Sequence, residues 1–389
     1  MASTLGPFAL SLSLALTAAA VTAAAGPARV RPARTKHLKV YHQPGRFGGW
    51  PANHGIWSWG DEILVGFGAG YHKDLGNERH NIDRERPEHH LLARSLDGGE
   101  TWKIEDPSVN GDLIPVGEAL HGVTPTGQVE RPWTDCPGGV PFTHPDFAMT
   151  LRMTNGGGGP SRFYYSTNRG HRWRGPFRLP DLDGRPLAPR TDYLVNGPSD
   201  CHIFVTASKA GGGEGRAVAA RTTDGGKSWK FLGWMTPEPV EGYTIMPSTI
   251  RLGPNELLSA IRRRTATRRD LALCRSTDNG RTWVEEAPSP TPDLGEGNPA
   301  SMIRLKDGRI CLTYGYRKAP FGVRARLSSD GGRTWGPELT LRDDAGNRDV
   351  GYPRTVQRAN GDLVTIYYIW DKESAPERYI GATIWTAPG

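Results

Sequence analysis

Cysteine is scarce in this sequence: the 389 residues include only Cys136, Cys201, Cys274 and Cys311. The four lie far apart and form no Cys-x-x-Cys pair, which argues against a disulfide framework and against a cysteine-based metal site. Cys274 and Cys311 stand in apolar, strand-like runs and are expected to be buried thiols. We therefore predict no metal and no other cofactor.

Blocks of basic residues are also missing. The chain has 48 Lys and Arg against 41 Asp and Glu, a formal charge of +7, but its basic residues are dispersed and mostly arginine. Nucleic-acid-binding proteins concentrate positive charge in a patch, so we expect no nucleic-acid partner. Dispersed arginines suit a small anionic substrate, because a guanidinium can pair in bidentate fashion with a carboxylate.

Long apolar runs are absent beyond the N-terminus, so no later segment is expected to span a bilayer. Residues 1–25 are small and apolar, with an Ala-x-Ala sequence at Ala23 and Ala25 before Gly26-Pro27. This pattern predicts a signal peptide cleaved near residue 25, and hence a secreted or periplasmic protein that has no membrane contact after cleavage. A membrane anchor is the alternative, although Ala, Thr and Ser make the run weakly hydrophobic.

Helical periodicity is nearly absent, and a repeated string is the main pattern instead. SLDGGETW (95–102) recurs as STNRGHRW (166–173), TTDGGKSW (222–229), STDNGRTW (276–283) and SSDGGRTW (328–335). Hydroxyl, acidic and amide side chains can bond to the backbone of a tight turn, glycine supplies positive φ, and tryptophan buries a large ring. We interpret each copy as a turn that stabilises the fold.

The copies begin 71, 56, 54 and 52 residues apart, and strand-like runs precede each of them. This period suits one four-stranded blade of a β-propeller. A sixth unit, YPRTVQRANGDLVTIYYIWDK…ERYIGATIW, has strand patterns but lacks the repeated turn. We predict an all-β, six-bladed propeller as a single domain over residues 37–389, closed by pairing of residues 37–44 with the last blade. Seven blades is the alternative.

The repeated turns resemble the Asp boxes, S-x-D-x-G-x-T-W, of the sialidase (neuraminidase) superfamily, whose BNR repeats form such propellers. The resemblance extends over essentially all of residues 37–389. It implies the fold more strongly than the chemistry, because the same propeller also serves other exo-acting glycosidases and plain binding modules.

The resemblance implies two catalytic residues. Secreted sialidases have a general acid and base, an aspartate, in the loop before the first box, and Asp83 in NIDRERPEHHLLARS corresponds to it. His80 and the pair His89 and His90 are alternatives in this loop. The nucleophilic tyrosine of the family corresponds to Tyr352 in DVGYPRTVQRANGDLVTIYY. A neutral phenol meets less repulsion than a carboxylate would at an anomeric carbon that bears a carboxylate.

The chain departs from the family at the partner of this tyrosine. Sialidases use a glutamate there, since a phenol needs a base or a cationic neighbour to attack at neutral pH. Met246 stands at the corresponding position. Glu241 or Glu296 could reach in from a neighbouring loop, and we take Glu296 as the candidate.

The arginines show a second departure. Three arginines normally hold the substrate carboxylate, and Arg262 and Arg317 correspond to two of them. Asn53 or His54 occupies the place of the remaining one. Arg46 and Arg354 are the candidates to replace it, and we count His54 among the substrate-binding candidates.

Four predicted inner strands begin with a residue that precedes proline: Trp50, Met246, Asn298 and Tyr352. Proline fixes the entry of each strand, so these residues are expected to line one pocket mouth. Asn298 is thereby a substrate-binding candidate. Trp50 is expected either to stack on a sugar face or to belong to the core.

These residues predict a secreted, monomeric, retaining exo-glycoside hydrolase of sialidase type, which releases a terminal acidic sugar from glycans. Because of the two departures, the sugar is sialic acid, a related keto-sugar acid or a uronic acid. Two alternatives stay open. One is a propeller polysaccharide lyase that removes a proton next to a uronate carboxylate with Tyr352, His54 or His80. The other is a non-catalytic glycan-binding propeller.

Overall fold

The structure, a computed structural model, describes residues 1–3, 30–77, 79–117, 121–291 and 293–389. The predicted signal peptide, residues 1–25, therefore lies almost wholly outside the described residues. The prediction of an all-β chain is confirmed. Within the described ranges, strands are accompanied only by a four-residue α-helix, α1 (Pro51–His54), and a short 3-10 helix (Pro107–Asn110). No helix in these ranges is long and apolar enough to cross a membrane.

The first ladder is formed by residues 46–105. Its strands are β2 (Arg46–Gly49), β3 (Ile56–Trp59), β4 (Glu62–Tyr71), β5 (His89–Ser95) and β6 (Lys103–Glu105), where β1 denotes the earlier strand Thr35–Tyr41. Both β2 and β3 pair with β4, so one edge strand is interrupted by α1. The interruption begins at Trp50, whose φ of 57° is left-handed.

Two further sheets occupy the middle of the chain. The first has three strands, β7 (Ala148–Met153), β8 (Ser161–Ser166) and β9 (Arg174–Leu179). The other contains β10 (Tyr193–Gly197), β11 (Asp200–Ala207), β12 (Arg216–Thr222), β13 (Lys230–Trp234), β14 (Tyr243–Arg251), β15 (Leu257–Arg264), β16 (Leu271–Ser276) and β17 (Val284–Glu286). It consists of two antiparallel four-stranded ladders, β10–β13 and β14–β17, joined by one parallel pair, Arg216 and Thr244.

The last two sheets have four strands each. One contains β18 (Ala300–Arg304), β19 (Ile310–Tyr316), β20 (Gly322–Ser328) and β21 (Leu339–Arg342). The other contains β22 (Gly351–Gln357), β23 (Leu363–Ile369), β24 (Tyr379–Trp385) and the N-terminal strand β1, which pairs antiparallel with β24. A buried cluster that includes Phe47, Phe67, Ile366 and Tyr368 packs the first ladder against the last one.

The five tryptophan-ended segments form similar turns between consecutive antiparallel strands. In each of them the glycine N–H of the fifth position donates to the hydroxyl oxygen of the first position, at 2.7–2.9 Å. In the fourth segment, Asp278 Oδ1 accepts from the N–H of Thr282 at 2.9 Å, and Trp283 Nε1 donates to the Gly280 carbonyl at 3.0 Å. These bonds satisfy the turn backbone and hold the indole over it, which explains the composition of the string.

All four cysteines are buried free thiols. Cys274 and Cys311 lie on β16 and β19, as the apolar runs around them predicted.

Candidate active site

A cavity of about 680 Å³ is formed where several loops converge. One wall is the loop after β4, with Lys73, His80 and Arg84 among its lining residues. The rest of the lining comes from the end of β15 (Arg262, Arg264), the segment before β18 (Glu296), the end of β19 (Arg317) and the segment before β22 (Arg348, Asp349). The cavity thus draws on the first ladder and the last three, which are far apart in the sequence.

Tyr352 lies between the two arginines that the sequence singled out. Arg262 Nη1 donates to the Tyr352 hydroxyl at 2.9 Å, and the guanidinium carbons of Arg262 and Arg317 each lie 5.7 Å from the centre of its ring. Arg317 also donates to the Val350 carbonyl and to the Tyr368 hydroxyl, at 3.1 and 3.0 Å. Tyr352 is 7% exposed and lies behind the lining arginines. The structure therefore brings together three of the predicted site residues.

Asn298 supports Tyr352 from within the protein. It is fully buried, its Oδ1 accepts from the Tyr352 N–H at 3.0 Å, and its Nδ2 donates to the Val350 carbonyl at 2.9 Å. A Cβ on Gly351, whose φ is 115°, would lie 2.5 Å from Asn298 Oδ1. The amide thus holds the backbone on both sides of Gly351, which places Asn298 beneath the tyrosine and outside the cavity lining.

Three of the residues before proline share an uncommon backbone conformation. Trp50, Met246 and Tyr352 have φ of 57°, 54° and 50°. The left-handed region costs a bulky side chain about 1–3 kcal/mol and persists only where the surroundings enforce it, often at functional sites. All three belong to one buried cluster, and none of them lines the larger cavity.

His80 lies on the cavity wall and is bonded to a buried carboxylate. Its Nδ1 is 2.7 Å from Asp349 Oδ1, and Asp349 also accepts from the Tyr368 hydroxyl at 2.5 Å and pairs with Arg378 Nε at 3.0 Å. Burial by itself raises the pKa of the Asp349 carboxyl, but His80, Arg378 and Arg317 outweigh burial and hold this pKa well below its usual range. Asp349 is therefore an ionised acceptor.

Asp83 is not part of the lining of this cavity, although its two partners, Lys73 and Glu85, line it. Its Oδ1 accepts from the Glu85 N–H at 3.1 Å and from Lys73 Nζ at 3.3 Å. The hydrogen bond from Glu85 and the charge of Lys73 lower the pKa of the Asp83 carboxyl. The sequence alone placed the acid/base function on this residue, and the structure leaves it engaged by its own loop.

Three other predicted residues have protein partners. Glu296 lines the cavity and pairs with Arg264 at 3.1 Å. Arg46 stacks on the Tyr71 ring, 3.9 Å from its centre, and does not line the cavity. Arg354 donates to the Ala52 carbonyl at 2.6 Å and to the Thr191 carbonyl, so it connects three ladders through their backbone.

A second, smaller cavity of about 40 Å³ lies beside the first. Trp50 and His54 line it together with His121, and the Trp50 ring stacks on the His121 ring with 3.7 Å between centres. His80 lies edge-on to Trp50 at 5.1 Å between centres. The stacked pair of Trp50 and His121 therefore lies between the small cavity and His80 on the wall of the larger one. Trp50 and His54 line the small cavity and not the larger one.

The charges of the small cavity are unusual. Arg152 is buried, and its Nη1 lies against Nδ1 of His54 and of His90. Burial and the nearby Arg162 lower the Arg152 pKa to about 9. Burial also raises the pKa of Glu88 to about 7, although its carboxylate accepts from the N–H groups of His121 and Gly122.

Sequence reasoning missed Asp349, Tyr368, His121, Glu88 and Arg152. Asp349 had a weak signal, since it stands three residues before Tyr352. The others lie in strands and loops without a motif. Among the residues that the structure describes, no group of three or more histidine, cysteine, aspartate or glutamate side chains is arranged to hold a metal ion.

Comparisons with known proteins agree with this architecture. A sialidase of Bacteroides fragilis (strain YCH46) is 25% identical over 294 residues, which cover 66% of this chain and 49% of that protein, so the chain spans about half the length of this relative. A protein of unknown function from Dyadobacter fermentans superposes with a TM-score of 0.67 at 18% identity, covering 91% of this chain and 99% of that chain. A mutant of the NanB sialidase from Streptococcus pneumoniae superposes with a TM-score of 0.58 at 12% identity, covering 89% of this chain and 70% of that chain.

The chain belongs to the family of the BNR repeat-like domain, whose model matches residues 120–365. This match, together with the likeness to the Bacteroides fragilis sialidase, supports the sialidase superfamily that the repeated turns predicted.

Proposed function

We propose that this protein is a glycoside hydrolase of sialidase type that removes a terminal acidic sugar from glycans. Arg262 carries the proposal. It is 7% exposed, lines the larger cavity, has no hydrogen-bond partner at Nε, and forms no ion pair with a carboxylate of the described chain. A buried guanidinium without an anion is costly, so an anionic ligand that enters the cavity would be strongly favoured.

The charge of the whole cavity supports an acidic substrate. Its lining includes seven basic residues and three acidic ones: Lys73, Arg79, Arg84, Arg262, Arg264, Arg317 and Arg348 against Glu85, Glu296 and Asp349. A concave site lined mostly by one sign of charge concentrates ligands of the opposite sign. Arginine forks match the geometry of a carboxylate, and Arg262 and Arg317 would hold it between them.

Tyr352 is the proposed nucleophile. Its oxygen already accepts a hydrogen bond from Arg262, and a cationic neighbour favours the phenolate that attacks. A tyrosine nucleophile implies a glycosyl-enzyme intermediate and retention of configuration. The substrate carboxylate that binds Arg262 and Arg317 would thereby bring its anomeric carbon to the phenol oxygen.

We infer that the six ladders are the blades of one ring and that the protein is exported. Pairing of β1 with β24 and packing of the first ladder against the last support the ring. The N-terminal sequence supports export, and we propose that the protein acts as a monomer.

A lyase is the second candidate function, and one contact favours it. Met246 Sδ, rather than a carboxylate, faces Arg262 Nη1 at 3.8 Å beside the Tyr352 hydroxyl. Two arginines that neutralise a uronate carboxylate would acidify the neighbouring C–H, and Tyr352 or His80 would take that proton. Such a reaction makes an unsaturated product, which absorbs in the near ultraviolet.

A panel of fluorogenic glycosides of sialic acid, a related keto-sugar acid and glucuronic acid tests the proposal, with polyuronate absorbance recorded in parallel. Tyr352→Phe is expected to lower kcat about a thousandfold or more, and Arg262→Ala to abolish turnover. Tyr316→Phe is the matched control, because Tyr316 packs near Arg324 outside the cavity. Turnover that survives Tyr352→Phe, or no turnover of any acidic substrate by the unaltered protein, would rule out this hydrolase. A glycan array would then test pure binding.

A further inference from the structure

His80 occupies a position that suits proton transfer. Its side chain is 28% exposed and lines the cavity, whereas the Asp349 side chain bonded to its Nδ1 is 6% exposed. Because an ionised carboxylate only accepts, the proton of this 2.7 Å bond belongs to Nδ1 of His80. Nε2 has no hydrogen-bond partner among the described residues and is left for a ligand.

The ring of His80 is held in place on several sides. Trp50 lies edge-on at 5.1 Å, His121 at 5.7 Å and Tyr368 at 6.5 Å between ring centres. Asp349 is in turn held by Tyr368, Arg378 and Arg317, the last at 4.0 Å. A base that is oriented by a third group in this way is a hallmark of catalytic constellations.

The same arginine connects this pair to the proposed substrate site. Arg317 lies 5.7 Å from the Tyr352 ring and donates to the Tyr368 hydroxyl, which donates to Asp349. His80 and the proposed nucleophile therefore stand around one carboxylate-binding arginine. Asp83, by contrast, is bonded to Lys73 and to the backbone of its own loop.

We propose that His80, oriented by Asp349, is the general acid and base of this site, in place of Asp83. This inference rests on the hydrolase function proposed above. Asp349 is a positioning residue, and His80 touches the reacting oxygen.

The proposed steps balance as follows. The bond between the anomeric carbon and the leaving oxygen breaks, that oxygen takes the Nε2 proton of the His80 imidazolium, and the Tyr352 oxygen bonds to the anomeric carbon while the phenol proton passes to solvent water. In the second half, neutral His80 takes a proton from a water molecule whose oxygen attacks the anomeric carbon. The bond to Tyr352 breaks, and the phenolate recovers its proton from solvent.

The dependence on the leaving group tests the proposal. 4-Nitrophenolate is a weak base and can leave without being protonated. Methoxide is a strong base, so the leaving oxygen of the methyl glycoside needs a proton from a general acid. His80→Gln should therefore lower kcat/KM at least about 100-fold on the methyl α-glycoside of sialic acid, and far less on its 4-nitrophenyl glycoside. If the panel of fluorogenic glycosides described above shows that glucuronic acid is the substrate sugar, methyl and 4-nitrophenyl glucuronide replace these two probes. Asp349→Asn should show the same selectivity more weakly.

His42→Gln is the matched control. His42 also pairs with a carboxylate, that of Glu377, at 3.2 Å and is 24% exposed, but it does not line the cavity, so both rates should stay unchanged. Equal losses on the two glycosides with His80→Gln, no loss on either, or leaving-group selectivity in Asp83→Asn instead would overturn the assignment. In those outcomes the unaltered protein still turns over substrate and still needs Arg262, so the hydrolase proposal survives. An unaltered protein that hydrolyses no acidic glycoside of the panel refutes both proposals.

Discussion

Asn298 provides a sharp test of how the fold holds the tyrosine. Its amide bridges the Tyr352 N–H and the Val350 carbonyl, at 3.0 and 2.9 Å, across Gly351. Replacing Asn298 by alanine removes both hydrogen bonds and leaves two backbone groups buried without partners. It also removes the group that keeps Tyr352 in its left-handed conformation, at a φ of 50°.

The magnitude follows from these two bonds. A buried polar group without a partner costs about 1–3 kcal/mol, so Asn298→Ala should lower the free energy of unfolding by about 2–5 kcal/mol. Release of the left-handed residue would also move the phenol oxygen away from Arg262. A displacement of about 1 Å at a reacting group lowers catalysis about 100-fold, so kcat should fall by that factor in the molecules that stay folded.

Urea unfolding and kcat on the fluorogenic glycoside measure the two effects separately. Thr365→Val is the matched control, because Thr365 is also fully buried, lies on the ladder that contains Tyr352, and accepts from Trp385 Nε1 at 3.0 Å. It should lose stability with no change of kcat. A kcat for Asn298→Ala equal to that of Thr365→Val, at temperatures where both are folded, would refute the positioning role of the amide.

Two other predictions concern stability. Burial raises the pKa of Glu88 to about 7, so its contribution to stability is complete below the unfolded value of 4.5 and is lost as pH rises through 7. The glutamine of Glu88→Gln cannot ionise. The free energy of unfolding of this variant should therefore exceed that of the unaltered protein by up to about 3 kcal/mol at pH 8 and by nearly nothing at pH 4, as measured by urea unfolding. An equal difference at both pH values would contradict this prediction. Asp278→Ala removes the acceptor of the Thr282 N–H and hydroxyl bonds and should cost about 1–3 kcal/mol in thermal or urea unfolding without changing kcat, and a change of kcat would show that this turn is more than structural.

The repeated turns could be predicted from sequence because their bonds are local. The hydroxyl of Ser276, the carboxylate of Asp278 and the indole of Trp283 find their partners within one eight-residue segment. The spacing of such segments then indicates the strands between them. The same locality explains why the all-β class and the superfamily were predicted correctly.

Candidate site residues could be selected from sequence only near a recognisable strand start or at a set distance from one. Tyr352 was selected in the first way and Arg262 by its distance from Met246, and the structure joins the two side chains at 2.9 Å. The role of Asn298 beneath Tyr352 was not visible, because 54 positions separate the two residues. Asp83 was assigned by its distance from the first turn, which says nothing about the direction of its side chain.

The short-range pattern of the sequence therefore determined the strands and the turns of this protein, and its composition determined how many arginines are available to the site. The tertiary structure decided which charges are left without partners: His80 meets Asp349 across 269 positions, while Arg262 meets no carboxylate of the described chain. The physical reason is that the energy of a buried charge depends on what surrounds it in space, and packing of distant ladders around one cavity sets those surroundings.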